Sequence, residues 1–177
     1  EVLPDVPYLQ IVFTIPKILR KHFLFGRALY GELAKVAYAA TREFFAAHFS
    51  TIEKPIPAMI VAPQSFGGLL NPHAHLHSVS SLGVFDQEGT FHAGAGELDC
   101  TPLEAVFRER TLRRMLKREA ITPERVELLG SWRHSGFNLN TTRRVAAGDR
   151  KSLETLLQYI ERPPVSLKRL TYREDGM

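Results

Sequence analysis

Three of the seven histidines in the chain fall within five residues, at His73, His75 and His77. The alternation around them predicts a strand over 73–82, and alternate residues of a strand project from the same face. Imidazoles arranged in this way can bind one divalent metal ion together. They can equally be histidines that only form hydrogen bonds or face solvent, and their spacing alone does not decide between these roles.

A second strand, predicted over 56–66, offers a candidate third ligand. If the two strands form a hairpin, Gln64 lies opposite His75 and Ala62 lies opposite His77, with all four side chains on one face. Gln64 would supply an amide oxygen, whereas a slip of one residue would turn it to the other face as an ordinary polar strand residue. Two imidazoles and an amide suit a catalytic Mg²⁺, Mn²⁺ or Zn²⁺ ion that assists phosphoryl chemistry.

Phosphoryl transfer needs a nucleophile, and Tyr159 has the most suggestive setting of the five tyrosines. It lies near the end of a helix predicted over 151–160, and Arg162 follows about one helical turn later. A tyrosine that attacks a phosphodiester keeps the bond energy in a phosphotyrosine, and a metal ion or an arginine can help the phenol to react. The alternative is an aromatic residue at the edge of the core. Cys100 is a poorer nucleophile because acidic neighbours disfavour its thiolate.

Positive charge is concentrated in the C-terminal part of the chain. Residues 1–100 carry seven Lys and Arg against nine Asp and Glu, whereas residues 101–177 carry sixteen against ten. A basic surface favours a polyanion such as nucleic acid, although a run of cations can also be a solvated helix face. The densest run, in a helix predicted over 101–118, contains Arg108, Arg110, Arg113, Arg114, Lys117 and Arg118.

Composition indicates a single globular domain over residues 1–177, since 44% of the residues are hydrophobic and 24% are charged. No apolar run approaches the roughly 20 residues of a membrane span, and no signal-peptide pattern is visible. The single cysteine, Cys100, excludes a disulfide within the chain. These features indicate an intracellular protein.

The remaining pattern predicts an α+β fold with a central, largely antiparallel sheet flanked by helices. Helix 101–118 should begin with Thr101 as its N-cap. Periodicity predicts a strand over 8–15, helical structure over 17–49 with possible breaks at Gly26 and Gly31, a hairpin over 84–92, and short strands over 126–132 and 143–147 around a loop at 134–142.

Four segments resemble, in the expected order, the motifs of rolling-circle transposases of the ISCR-like "putative transposase" family. In this resemblance His75-Leu76-His77 occupy the histidine–hydrophobic–histidine (HUH) motif, His73 is an additional neighbour, and Tyr159 is the nucleophile. The segments are YLQIVFTIPKILR at 8–20, QSFGGLLNPHAHLHSVSSLGVF at 64–85, SWRHSGFNLNTTRRV at 131–145 and LLQYIERPPVSLKRLTY at 156–172.

The resemblance implies an HUH-type endonuclease that nicks single-stranded DNA at transposon ends, with Mg²⁺ or Mn²⁺ as cofactor. Such enzymes keep a covalent 5′-phosphotyrosine and leave a free 3′-hydroxyl, and this one would work in the bacterial cytoplasm at the nucleoid. The expected site comprises Tyr159 and Arg162 for catalysis and His75, His77 and Gln64 for the metal ion. The expected DNA-binding residues are the six cations of 108–118 together with Arg143 and Arg144.

Two departures from the family pattern bear on activity. Two-tyrosine relatives carry a second tyrosine four residues before the first, where this chain has Thr155, so a single-tyrosine enzyme is expected. Full-length members begin with a Cys-rich zinc-binding segment, so the chain resembles a catalytic core without it. The alternatives are a catalytically inactive DNA-binding remnant and a rolling-circle replication initiator or relaxase with the same chemistry.

Overall fold

The computed structural model describes residues 3–67, 71–94 and 99–161. Strands and helices are interspersed along this part of the chain. In order they are β1 (Tyr8–Thr14), α1 (Lys17–Phe25), α2 (Ala28–His48), β2 (Met59–Phe66), β3 (Pro72–Ser81), β4 (Gly83–Phe85), β5 (Phe91–Ala93), α3 (Thr101–Lys117), α4 (Pro123–Ser131), β6 (Asn138–Val145) and α5 (Arg150–Glu161).

Four of the strands form one antiparallel sheet in the order β2-β3-β1-β6, and β4 and β5 form a separate hairpin. The strand β3, which carries the histidines, is therefore an inner strand. Both β2 and β6 are edge strands of this sheet. The α+β class and the antiparallel sheet predicted from the sequence are confirmed, as is the hairpin predicted over 84–92.

The two faces of the sheet pack against different helices because side chains alternate along each strand. On one face, Leu9, Ile11 and Phe13 of β1 join the main core with side chains of α1, α2 and α3. On the other face, Tyr8 and Val79 pack against the apolar side of α5. The three histidines of β3, all at odd-numbered positions, share this second face with Val79. The helix α5 therefore lies on the histidine side of the sheet.

The segment predicted as a short strand over 126–132 is helix α4, so that prediction is wrong. Thr122 is its N-cap and accepts a hydrogen bond from the backbone N–H of Arg125 at 3.4 Å, and Pro123 is the first helical residue. A threonine cap followed by proline is a strong helix start. The short apolar run that suggested a strand instead places Leu129 in the core.

Three further boundaries differ from the sequence predictions. Gly26 ends α1 as expected, but Gly31 lies inside α2, where nothing surrounds the position of its missing side chain. Cys100, and not Thr101, is the N-cap residue of α3. The second half of the loop predicted over 134–142 belongs to β6, which begins at Asn138. Its residues are polar and so resemble a loop in the sequence, but they form a strand because they pair with β1.

The basic residues of α3 make ion pairs where this helix packs against α2. Arg114 and Arg118 both reach Glu32, whose side chain is only 10% exposed. Arg110 pairs with Glu43 of α2, and Arg113 pairs with Glu109 of its own helix. Much of the positive charge of the 108–118 run is therefore paired with carboxylates of the same domain.

None of the helices in the described ranges combines the length and apolarity that a bilayer crossing requires.

Candidate functional site

The β2–β3 hairpin has the register predicted from the sequence. Gln64 pairs with His75, and Ala62 pairs with His77. The pairs Thr14–His75 and Val12–His77 join the same strand to β1 on its other side. The two histidines therefore lie side by side in the middle of the sheet, on the face that α5 covers only in part.

His75 and His77 direct their Nε2 atoms at each other, 3.1 Å apart. His75 is fixed by its Nδ1–H, which donates to the carbonyl oxygen of His73 at 2.7 Å. Two imidazole nitrogens this close together could bind one divalent ion, provided that neither Nε2 carries a proton.

A cation at this pair would need its remaining ligands from other groups. The described residues contain no group of three or more His, Cys, Asp and Glu side chains able to hold a metal ion. Gln64 lies on the same face as His75, and its Nε2 donates to the carbonyl oxygen of Ile160 at 3.4 Å. That bond joins β2 to the end of α5 and uses the amide nitrogen, so the amide oxygen of Gln64 is the atom chemically suited to a metal ion.

Tyr159 of α5 lies against the histidine pair. Its ring centroid is 5.8 Å from that of His77, and the two ring planes meet at 88°. The guanidinium carbon of Arg143 lies 5.7 Å from the tyrosine ring centroid, within the range of a cation–π contact. The Tyr159 side chain remains accessible, since the residue is 47% exposed. An accessible phenol, two imidazoles and a guanidinium therefore converge at one place.

A groove runs from this cluster along β6. Its first part, of about 420 Å³, is lined by His77, Tyr159, Asn138, Asn140 and Arg143 among others. A second part of about 470 Å³ shares Thr142 and Arg143 with the first and continues between β6 and α5. Among the described residues, the cations along the two parts are Arg143, Arg144 and Lys151, and no Asp or Glu side chain lines either part.

The structure separates the other sequence-predicted residues from this cluster or leaves them undescribed. The 108–118 run is carried by α3, which packs on the opposite face of the sheet from the histidines. Arg162 lies outside the described residues. Thr155, at the position of the second tyrosine in two-tyrosine relatives, lines the groove one turn before Tyr159, and its hydroxyl donates to the carbonyl oxygen of Lys151 at 2.8 Å.

Sequence reasoning missed Gln10, which touches the histidine pair from β1. Its side chain is 3% exposed, and its Nε2 lies 3.4 Å from Nδ1 of His77. Its Oε1 accepts a hydrogen bond from the hydroxyl of Thr142 at 3.2 Å. The signal was present in the sequence, because a glutamine inside the apolar run YLQIVFT is a buried polar residue that requires partners.

Burial lowers the pKa of His77 to about 4, and repulsion from His75 acts in the same direction. Burial also lowers the pKa of His75, against the opposing effect of its hydrogen bond to the His73 carbonyl. Both imidazoles are therefore neutral at pH 7, the state in which histidine binds metal ions.

The low pKa of His77 predicts that acid destabilises the metal-free protein. As the pH falls from about 6.5 towards 4, the unfolded chain binds a proton at this imidazole that the folded chain does not, so the free energy of unfolding decreases. After allowance for solvent in the groove, we expect a loss of roughly 2 kcal/mol. Urea unfolding in EDTA across this range measures it. The loss should shrink in His77→Gln, and equal losses in both proteins would refute the prediction.

Comparison with known proteins identifies the family. The model of the family described as "Putative transposase" matches residues 58–177. Across 188 aligned residues, the chain is 27% identical to the transposase for insertion sequence element IS801 from Pseudomonas savastanoi pv. phaseolicola. That alignment covers 98% of this chain and 44% of the relative, so the chain spans less than half of the relative's length. No solved structure matches the chain. Because the family model covers more than half of the chain, including the histidine strand and Tyr159, this protein belongs to the putative transposase family.

Proposed function

We propose that this chain nicks and rejoins single-stranded DNA through a covalent 5′-phosphotyrosine at Tyr159, as a step of transposition in the bacterial cytoplasm. The observation that carries the proposal is the contact between the rings of Tyr159 and His77, beside a second histidine and an arginine. The family and the relative both have transposase descriptions, and transposition requires that DNA be cut and joined.

In this proposal His75 and His77 hold a divalent cation, with the amide oxygen of Gln64 as a third ligand. When bound, the ion offsets negative charge on the scissile phosphate. The Tyr159 oxygen attacks phosphorus, the bond to the 3′ oxygen breaks, and that oxygen takes up a proton as a free 3′-hydroxyl. The phenolic proton passes to solvent. The reverse reaction joins a 3′-hydroxyl to the phosphate and releases the tyrosine.

The groove along β6 supplies the path for the DNA strand. Arg143 is the cation nearest the phenol, and Arg144 and Lys151 extend the positive charge away from it. The amide side chains of Asn138 and Asn140 line the end near His77 and could bond exposed base edges. The side chains that line the groove within the described ranges include cations and no carboxylates, and this balance favours a polyanion over other ligands.

A nicking assay tests the proposal. The substrate is a randomised pool of labelled single-stranded oligonucleotides, with the same pool annealed to its complement as the control. With Mn²⁺ we expect shortened single strands and a denaturant-stable protein–DNA adduct, both absent in EDTA. Salt-sensitive binding without cleavage or adduct would refute the proposal and indicate a DNA-binding remnant instead.

The groove predicts that Arg143→Ala weakens binding to single-stranded DNA, whereas Arg113→Ala does not. Loss of one phosphate contact should lower affinity several-fold and reduce the slope of log K against log salt by about 0.7. Arg113 is the matched control because its guanidinium already pairs with Glu109 on the opposite face of the sheet. Fluorescence anisotropy with the randomised single-stranded probe measures both quantities. The reverse result, with only Arg113→Ala defective, would assign DNA binding to the 108–118 run.

A further inference from the structure

Both ring nitrogens of His77 have protein partners, and these partners determine where its proton lies. Nδ1 faces the Nε2 amide group of Gln10 at 3.4 Å, and Nε2 faces the Nε2 atom of His75 at 3.1 Å. In this orientation of the Gln10 amide its nitrogen can only donate, which makes Nδ1 of His77 the acceptor and places the proton of the neutral ring on Nε2. That proton points at His75.

The same reasoning places a lone pair on Nε2 of His75. Its Nδ1 donates to the carbonyl oxygen of His73, which can only accept. The two imidazoles therefore share one hydrogen bond, from Nε2–H of His77 to Nε2 of His75. In this state His77 cannot bind a metal ion, because the nitrogen directed at the shared position carries a proton.

Rotating the Gln10 amide by half a turn exchanges its donor and acceptor without loss of a partner. Its oxygen would then accept from Nδ1–H of His77. Its nitrogen would donate to the hydroxyl oxygen of Thr142, which donates to Gln10 before the rotation but can also accept a hydrogen bond. The proton of His77 moves from Nε2 to Nδ1, so the number of bound protons does not change. Both Nε2 lone pairs then face the same position.

We propose that Gln10 is a positioning residue whose amide orientation switches the His75–His77 pair between a hydrogen-bonded state and a metal-binding state. A glutamine is suited to this role because it offers a donor and an acceptor in one planar group. Its burial matters too, since at 3% exposure it must find both partners within the protein. The inference rests on the proposed function in that it assumes a cation at the histidine pair.

Metal affinity measured without DNA tests the switch. Gln10→Met keeps the side-chain length but cannot bond to His77, and we expect Mn²⁺ binding to weaken by about 10- to 100-fold, as for other groups that orient a histidine ligand. Gln87→Met, at an exposed position of the β4–β5 turn, is the matched control and should bind Mn²⁺ like the wild type. Electron paramagnetic resonance of free Mn²⁺ gives the dissociation constants, and circular dichroism checks folding.

A second measurement needs no variant. In the wild-type chain labelled with ¹⁵N-histidine, nuclear magnetic resonance should show His77 protonated at Nε2 without metal and at Nδ1 after addition of Zn²⁺. The inference is overturned if His77 is already protonated at Nδ1 without metal, or if folded Gln10→Met binds Mn²⁺ as tightly as the wild type. Either result, together with normal metal-dependent nicking, would leave the proposed function intact. A wild-type chain that binds no divalent ion would overturn both the Gln10 switch and the proposed function.

Discussion

Tyr159→Phe is expected to abolish both nicking and the covalent DNA adduct while leaving the fold and DNA binding intact. The substitution removes only the hydroxyl oxygen, which is the atom proposed to attack phosphorus. The ring is kept, so its contacts with His77 and Arg143 persist. Loss of a covalent nucleophile should leave no detectable product above background, a decrease of at least about 10⁴-fold.

A second tyrosine gives the control for this prediction. Tyr38 lies on α2, on the side of the sheet away from the groove, and Tyr38→Phe should nick and form adduct like the wild type. An adduct that Tyr159→Phe still forms under the same conditions would exclude Tyr159 as the nucleophile. Tyr172, which lies outside the described residues, would then be the first alternative to test.

Replacing both histidines, as His75→Ala with His77→Ala, is the second large prediction. Each side chain would contribute one of two nitrogen ligands that lie 3.1 Å apart, so the double variant removes both of these ligands. We expect metal-dependent nicking to fall by about 100-fold or more, and Mn²⁺ binding to be lost. Single-stranded DNA binding should change little, because the cations that line the groove are on β6 and α5.

His73→Ala is the matched control on the same strand and the same face. The carbonyl oxygen that orients His75 belongs to the backbone of His73 and survives the substitution. This variant should therefore retain Mn²⁺ binding and nicking. If it loses both while the double variant retains them, the metal position has been assigned to the wrong end of β3.

The hairpin register could be predicted because two independent constraints agree. Histidines at alternate positions place three candidate ligands on one face of β3, and the assumption that the two neighbouring strands form a hairpin places residues of β2 opposite them, with a slip of one residue left open. The pairs of Gln64 with His75 and Ala62 with His77 follow from these constraints and occur in the structure. Local patterns suffice here because both strands are close in sequence.

The contacts around Tyr159 could not be derived in the same way. They depend on α5 and β6, which are distant in sequence from β3, and on the choice of sheet face by α5. The β1–β6 pairing beside Arg143 also shifts register between Leu9 and Ile11, and no local pattern indicates this irregularity. In the sequence, Tyr159 was associated with the histidines only by its helix setting beside Arg162 and by the resemblance to known transposases.

The basic run 108–118 shows that a cluster of cations in the sequence does not by itself predict a cationic surface. Six cations in eleven residues of α3 suggested a surface for DNA, yet Arg114 and Arg118 meet Glu32 of α2, which lies more than 80 positions earlier. Because the partner is distant in sequence, the local charge of the helix overstates what it offers to a ligand. The groove cations are fewer, but none of the described residues that line the groove with them is an Asp or a Glu.

The most direct test of the account is to identify the residue that carries DNA after reaction with a single-stranded pool and Mn²⁺. Trypsin should release Tyr159 in the peptide 152–168, which contains no other tyrosine, since Pro163 protects the bond after Arg162; Tyr172 falls in a separate peptide. After nuclease digestion, mass spectrometry should find a nucleotide on 152–168. A nucleotide found only on another peptide, or cleaved DNA with no adduct on any peptide, would contradict the central claim.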